Sequence, residues 1–328
     1  MLEEEAAGLC RSRYGLDGDL LRFATEKDDT FRVRNGRGEA FILKITNPGE
    51  AESEVNLQTD LLHYLAKSSP HLRVPRIIPD LDGNRYAAYV DAAGQRRLLR
   101  MMTFLPGTPL SEIEPTSAER EKVGEVLGSL RLAMSDFSHP ADCREIAWDI
   151  RHLGKLSHLV GHVEDSGRRS LIEGGMRRFR EIESDLTKCR MQMLHNDFSR
   201  SNIVVDRKTP EFVSGIIDFG DAVRTAVAVD VSTALLNQLS PIPREDLFAD
   251  AKDVLRGYLR IADLTEDELR LIPHLVMGRV IARALLTTWR ARLFPDNAAY
   301  ILRNTYQGWH QLQWFLDRPF REISNTLA

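Results

Sequence analysis

The chain has 328 residues, 43% of them hydrophobic and 28% charged, a balance that describes one or two folded domains and excludes a disordered chain. A formal net charge of −4 gives no overall attraction to nucleic acid or to an anionic membrane, and the basic pieces "GRRS" and "MRRFRE" read as solvated helix faces. Cys10, Cys143 and Cys189 are too scattered for a disulfide framework or a zinc site, the acidic N-terminus lacks a signal-peptide core, and no apolar run approaches membrane-spanning length, so a reducing cytoplasm is the expected location.

In chain order, residues 19–46 read as three strands, "DLLRFAT", "TFRVRN" and "AFILKIT", the last entered through a "GRGE" turn. Residues 50–67 crowd acids into a first turn and space Val55, Leu61, Leu62 and Leu65 as an amphipathic helix. Strand-like runs return in "RYAAYV" and "RRLLRMMTFL", the second closed by "PGTPL". Beyond Pro106, "TSAEREKVGEVLGSLRLAM" opens with a capping Ser or Thr and reads as helix, as do residues 168–188 in spite of Gly174 and Gly175. Three short strands occupy 190–219, and from Asp230 onward the pattern is helical, clearest in "GRVIARALLTTWRARL" and "NTYQGWHQLQWFL". The expected architecture is α+β and bilobal. Residues 1–105 form a small antiparallel-sheet lobe with one helix, residues 106–328 a larger, mostly helical lobe, and a ligand cleft is expected at the Pro106-Gly107 hinge.

The stretch "MLHNDFSRSNIVVD", residues 193–206, sets His195, Asp197 and Asn202 between apolar runs, where polar groups are costly unless they bind something or one another. A spacing of five on a loop aims Asp197 and Asn202 into one cavity, and Asp218, ending the next strand in "SGIIDFGD", faces them if the strands pair as a hairpin. Asn202 and Asp218 then offer oxygen ligands suited to Mg²⁺, and Asp197 is left to receive or orient a hydroxyl proton. Lys44 lies among apolar residues in "FILKIT", a position that a phosphate partner makes tolerable. A lysine on phosphates, a metal on the β/γ oxygens and an aspartate at the attacking hydroxyl are the parts of phosphoryl transfer.

"HNDFSRSN" resembles the kinase catalytic loop H-x-D-x-x-x-x-N, "IDFG" resembles the metal-binding D-F-G, and "FILKI" stands in the place of the strand-three lysine. Protein kinases continue into an activation segment ending in A-P-E, whereas "IDFGDAVRTAVAVDVSTALL" passes to a new helix by about Val231. The turn "TEKDDTF" has no glycine, which leaves its backbone N–H groups, Thr30 included, to cradle phosphate. These departures fit the aminoglycoside phosphotransferase-like small-molecule kinases. Within them the chain is similar to the hydroxylysine kinase group, in "DDTFRVRNGRGEAFILKITNP", "RLLRMMTFLPGTPL", "LHNDFSRSNIVVD", "SGIIDFGDAVRTAVAVDVSTAL" and "FPDNAAYILRNTYQGWHQLQWFL".

The resemblance implies a protein-kinase-like fold, ATP or GTP with Mg²⁺, and transfer of the γ-phosphate to a hydroxyl of a small amino acid or amine. 5-Hydroxylysine is the leading acceptor, with homoserine, choline and aminoglycosides as alternatives within the same fold. Residue by residue, it implies Lys44 on the α/β-phosphates, Asp197 as base or hydroxyl-orienting group, Asn202 and Asp218 on Mg²⁺, and His195 bracing the loop. Arg200, beside Ser199 where protein kinases carry a lysine, is the candidate for transition-state charge. The segment from Met101 to Leu105, centred on Met102, Thr103 and Phe104, is implied as the hinge that reads the purine edge, and Asp230 as the N-cap of the next helix. Counting back from Leu61, Leu62 and Leu65 to the helix glutamate of kinases lands on Gln58. Glu54, one turn earlier, is therefore the favoured ion-pair partner of Lys44. Two other classes compete. A non-catalytic nucleotide-binding regulator is disfavoured by the intact set of four residues, and a metal-dependent phosphoesterase needs further His and Asp ligands. No nucleic-acid or membrane partner is expected, and no motif speaks to oligomeric state.

Overall fold

Alternating apolar side chains in the first strands are answered by a helix on one side and a polar cleft on the other. In the computed structural model, which describes residues 2–25 and 28–327, α1 (Glu3–Tyr14) precedes β1 (Gly18–Phe23), β2 (Asp29–Asn35) and β3 (Ala40–Ile45). Next come α2 (Glu52–Ser68), β4 (Ile77–Ile78), β5 (Ala87–Val90) and β6 (Arg96–Thr103). The strands form one antiparallel sheet in the order β1-β2-β3-β6-β4, with β5 also on β6. Residues 26 and 27 of the expected phosphate-cradling turn lie outside the described residues.

Because side chains alternate along a strand, Phe31, Val33, Leu43, Ile45, Leu99 and Met101 share one face, and α1 covers it with Ala6, Cys10 and Tyr14. This second helix of the small lobe departs from the expected single one. Its buried stripe consists of one small, one medium and one aromatic residue, too weak a periodicity to stand out. The opposite face carries Thr30, Lys44 and Arg100 in one row, since Lys44 is in register with both neighbours. The helix α2 belongs elsewhere: Leu57, Leu61, Leu62 and Leu65 pack into the core of the large lobe.

At Gly107, just past the expected hinge segment, φ is +143° and an added Cβ would lie 2.6 Å from both Ser214 Oγ and Val204 Cγ1, so only glycine fits. Immediately after it, β7 (Thr108–Pro109) pairs with a strand of the large lobe. The helix α3 (Ser117–Met134) starts in a capping box made by Thr116 and Glu119. After a 3₁₀ run over Ile150–His162 come α4 (Ser166–Arg180) and the short α5 (Glu183–Leu186), in place of one helix over 168–188. Gly175 does not break α4. It lets the helix approach Ile281 and Leu312, whose atoms would lie 2.7 and 3.1 Å from a Cβ there.

The motif block supplies β8 (Met191–Leu194), β9 (Ile203–Val205) and β10 (Val213–Ile216), then β11 (Val223–Ala226). β9 and β10 form the expected antiparallel pair, while β8 pairs with β11, a strand lying inside the stretch expected to lead straight into helix. Helices complete the chain: α6 (Val227–Leu236), α7 (Ala249–Ile261), α8 (Glu266–Leu293), α9 (Ala298–Leu302), α10 (Tyr306–Leu316) and α11 (Phe320–Ser324). α3 and α7 cross at backbone contact, because a Cβ on Gly124 or on Gly257 would lie 1.9 Å from the carbonyl oxygen of Val254 or of Glu121. Among the described residues no helix is long and apolar enough to cross a membrane.

Candidate active site

Strand register brings the motif residues together. β8 ends at Leu194, opposite Val223, and β9 begins at Ile203, opposite Ile216, so the loop 195–202 and the segment 217–222 leave the two small sheets side by side. The Ile217 N–H donates to Asn202 O at 2.9 Å and fixes their spacing. His195 is fully buried, and burial pushes its imidazole down to about 4, so it is neutral near pH 7. Its Nδ1 accepts the Asp197 N–H at 3.3 Å, which leaves Nε2 to donate to Ile217 O at 3.1 Å. The histidine thus pins the Asp197 loop to the strand that leads to Asp218.

Asn202 spends its side-chain N–H groups on Asp197, reaching O at 3.0 Å and Oδ2 at 2.6 Å. Burial, then the charges of Asp221 and Asp218, push the Asp197 carboxyl up to about 8, while Arg279 and Asn202 pull the other way. Asp218 stands in the left-handed region with φ 61°, its Oδ1 accepting from Gly220 N and from Lys44 Nζ, both at 3.3 Å. The nearby Lys44 charge is what chiefly holds the Asp218 carboxyl below its usual range.

Several expected roles change. Lys44 pairs with Asp28 at 3.5 Å and with Asp218, not with Glu54 or Gln58. Glu54 instead meets Arg144 at 3.1 Å, and Arg144 also donates to the carbonyls of Gly220 and Ala222, so α2 is tied to the D-F-G segment. Gln58 accepts from the buried Arg100 at 2.5 Å, an amide serving a cation without a carboxylate. The Arg200 guanidinium is already engaged, donating to the carbonyls of Leu110 and Ile113 and pairing with the exposed Glu114 carboxylate at 3.4 Å. In the hinge, the Thr103 and Phe104 N–H groups are spent on Arg76 O at 2.9 Å and Ala40 O at 3.2 Å, and Met102 is buried between Ile42 and Ile77.

Asp230 is not an N-cap. It lies inside the first turn of α6, after Ala226 at the cap, and its Oδ1 accepts the Asn196 N–H at 2.6 Å. Asn196 has φ 60°, a conformation that asparagine tolerates better than most residues, and Arg279 Nη2 grips its O at 3.1 Å and its Oδ1 at 2.6 Å. Sequence reading missed this clamp, and missed Asp28 and Arg100. Each acts on a residue far away along the chain, so no local spacing signals it.

The fit to a metal–nucleotide can be judged from the donors. Asn202 Oδ1 and the Asp218 carboxylate are hard oxygens, as Mg²⁺ requires. Among the described residues no three His, Cys, Asp or Glu side chains form a self-sufficient metal site, so a cation here would lean on phosphate oxygens and water. Beside Lys44, Thr30 Oγ1 and Arg100 Nη1 are buried with no hydrogen-bond partner among the described residues, atoms that suit an incoming phosphate.

Residues 21–271 match the family model described as the phosphotransferase enzyme family, and the chain belongs to that family. It is similar to the hydroxylysine kinase of Mus musculus, 24% identical over 337 residues that cover 96% of this chain and 89% of the relative. Two solved structures share the fold. One is titled a microcompartment-associated aminopropanol kinase, with TM-score 0.77, 20% identity, and 96% and 98% of the two chains covered. The other is amicoumacin kinase in complex with AMP-PNP, Ca²⁺ and Ami, with TM-score 0.72, 19% identity, and 95% and 94% covered. The architecture is accordingly the bilobal, protein-kinase-like α+β fold, and the protein is a phosphotransferase acting on a hydroxyl group of a small molecule.

Proposed function

We propose that the protein transfers the γ-phosphate of ATP, with Mg²⁺, to the hydroxyl of a small amino acid or amine, with 5-hydroxylysine the first candidate and homoserine the second. The observation that carries this reading is the convergence of Lys44, Asp197, Asn202 and Asp218 between the lobes. Asn202 Oδ1 and Asp218 would hold the Mg²⁺, which when bound neutralises charge on the β- and γ-oxygens. Lys44 holds phosphate oxygens from the sheet side. Asn202 fixes Asp197 Oδ2, which leaves Oδ1 for the acceptor hydroxyl. The hydroxyl oxygen bonds to Pγ as the bond from Pγ to the β-bridging oxygen breaks, the nucleoside diphosphate leaves, and the hydroxyl proton passes to Asp197 in its ionised form, which predominates above about pH 8. The similarity to a hydroxylysine kinase over 96% of the chain supports the acceptor class. The cytoplasm is the proposed site of the reaction.

The test offers hydroxylysine, homoserine, choline and an aminoglycoside together, with ATP or with GTP, and identifies phosphorylated products by mass. Hydroxylysine phosphate with release of ADP is expected. Selective phosphorylation of choline or the aminoglycoside would remove the amino-acid acceptor and keep the kinase, while nucleotide binding with no transfer to any acceptor would favour a regulator.

A further inference from the structure

The helix α8 presents two arginines one turn apart, Arg279 and Arg283, whose Cβ atoms share a face about 6 Å from each other. Their surroundings differ. Arg279 is buried among the carboxylates of Asp149, Asp197, Asp230 and Asp221 and is bonded to Asn196. Arg283 has no carboxylate partner among the described residues. Its Nη2 donates to the neutral Gln311 Oε1 at 2.9 Å, and its Nε, like that of Arg279, is buried with no hydrogen-bond partner among the described residues. Burial alone pushes it down to about 10. Gln311 cannot turn away, because its Nε2 donates to Ser240 O at 3.1 Å. Taken as a whole residue, Arg283 is half-buried.

A desolvated guanidinium with a single neutral hydrogen bond is costly unless an anion completes it, and its planar fork fits a carboxylate bidentately. The nucleotide phosphates do not answer for it, since the groups that suit them, Lys44, Thr30 and Arg100, lie on the sheet of the other lobe. Arg283 stands one turn beyond the residue that clamps the Asp197 loop, on the helical wall between α8 and α10. We propose that Arg283, fixed by Gln311, receives the carboxylate of the acceptor, so that the acceptor is a hydroxylated amino acid and not an amino alcohol. This rests on the reading of the site as a small-molecule kinase and adds the group that selects its substrate.

The experiment compares each amino acid with its decarboxylated counterpart, 5-hydroxylysine with 1,5-diaminopentan-2-ol and homoserine with 3-aminopropan-1-ol, in the full chain with ATP and Mg²⁺. The wild type is expected to prefer the amino acid, chiefly through KM. Arg283→Gln should lower the ratio of the two kcat/KM values by about a hundredfold, as for loss of a charge-assisted bidentate contact. Gln311→Glu should lower it as well, by supplying an internal carboxylate that occupies the guanidinium, and it decides the matter if Arg283→Gln fails to fold. An unchanged ratio in a folded variant, or a wild type that uses both partners of each pair equally, would overturn the proposal and leave the kinase standing. If no acceptor is phosphorylated, the functional reading itself fails. Calorimetric titration with lysine and with pentane-1,5-diamine then tests Arg283 alone: selective lysine binding that Arg283→Gln abolishes supports the subsite, and equal or absent binding refutes it.

Discussion

Replacing Asp197 by Asn keeps an oxygen for the Asn202 amide and removes the carboxylate that, once ionised, takes the hydroxyl proton. Turnover should fall by at least about a hundredfold, with nucleotide affinity and melting temperature nearly unchanged. Near-normal single-turnover rates in the folded variant would take Asp197 out of the mechanism. Asp230 behaves differently because burial pushes it up to about 6, above its value in an unfolded chain. The native state therefore binds the extra proton between about pH 4 and pH 6, and the stability this contributes is present below about pH 4 and lost as pH rises through about 6. Asp230→Asn keeps an acceptor for the Asn196 N–H and has no proton to lose. Its melting temperature relative to wild type should rise across that pH window and then level off, by an amount worth at most a few kcal/mol. A flat difference between pH 4 and 7 would contradict the assignment. At this scale the four motif residues were legible because their spacing along the chain is itself the signal. Partners such as Asp28 for Lys44, or Arg279 for Asn196, were not, since folding alone brings them near.

Among the elements, the α3–α7 crossing is the most exacting. Gly257→Ala would drive a methyl to 1.9 Å from the Glu121 carbonyl oxygen, and backbone cannot yield as a side-chain end can. Loss of roughly 3 kcal/mol or more is expected, visible as a lower denaturation midpoint with little change in KM for nucleotide. An Ala variant as stable as wild type would mean that the helices separate freely. Strands and long helices were readable from periodicity, down to the capping residue of α3. Two features hid from it. The stripe Ala6, Cys10 and Tyr14 of α1 is too slight to mark a buried face, and β11 is a four-residue strand whose pairing with β8 no local pattern reveals.

At the scale of the whole molecule, the described residues form two separate apolar clusters, a small one between α1 and the sheet and a large one that includes α2. A lobe with so small a core is the weaker unit, and calorimetry should show it melting first. An ATP analogue bound between the lobes should raise that first transition and draw it toward the second. A single transition that the analogue leaves in place would argue against independent lobes. The bilobal plan could be read from the sheet-rich first part of the sequence and the helical rest, but the packing of α2 into the large core could not, because amphipathic spacing says that a face is buried without saying against what. The helix α8 bears on how such a chain changes length over generations. Glu268 near its start meets Arg190 just before β8, and Arg279, about three turns on, meets Asn196 just after β8, so helix and strand are riveted at both ends. One residue inserted between those rivets would swing Arg279 and Arg283 by about 100° away from their targets. Insertions and deletions should therefore accumulate in the exposed turn over 294–297, and be purged from 268–283, whatever substitutions the helix surface accepts.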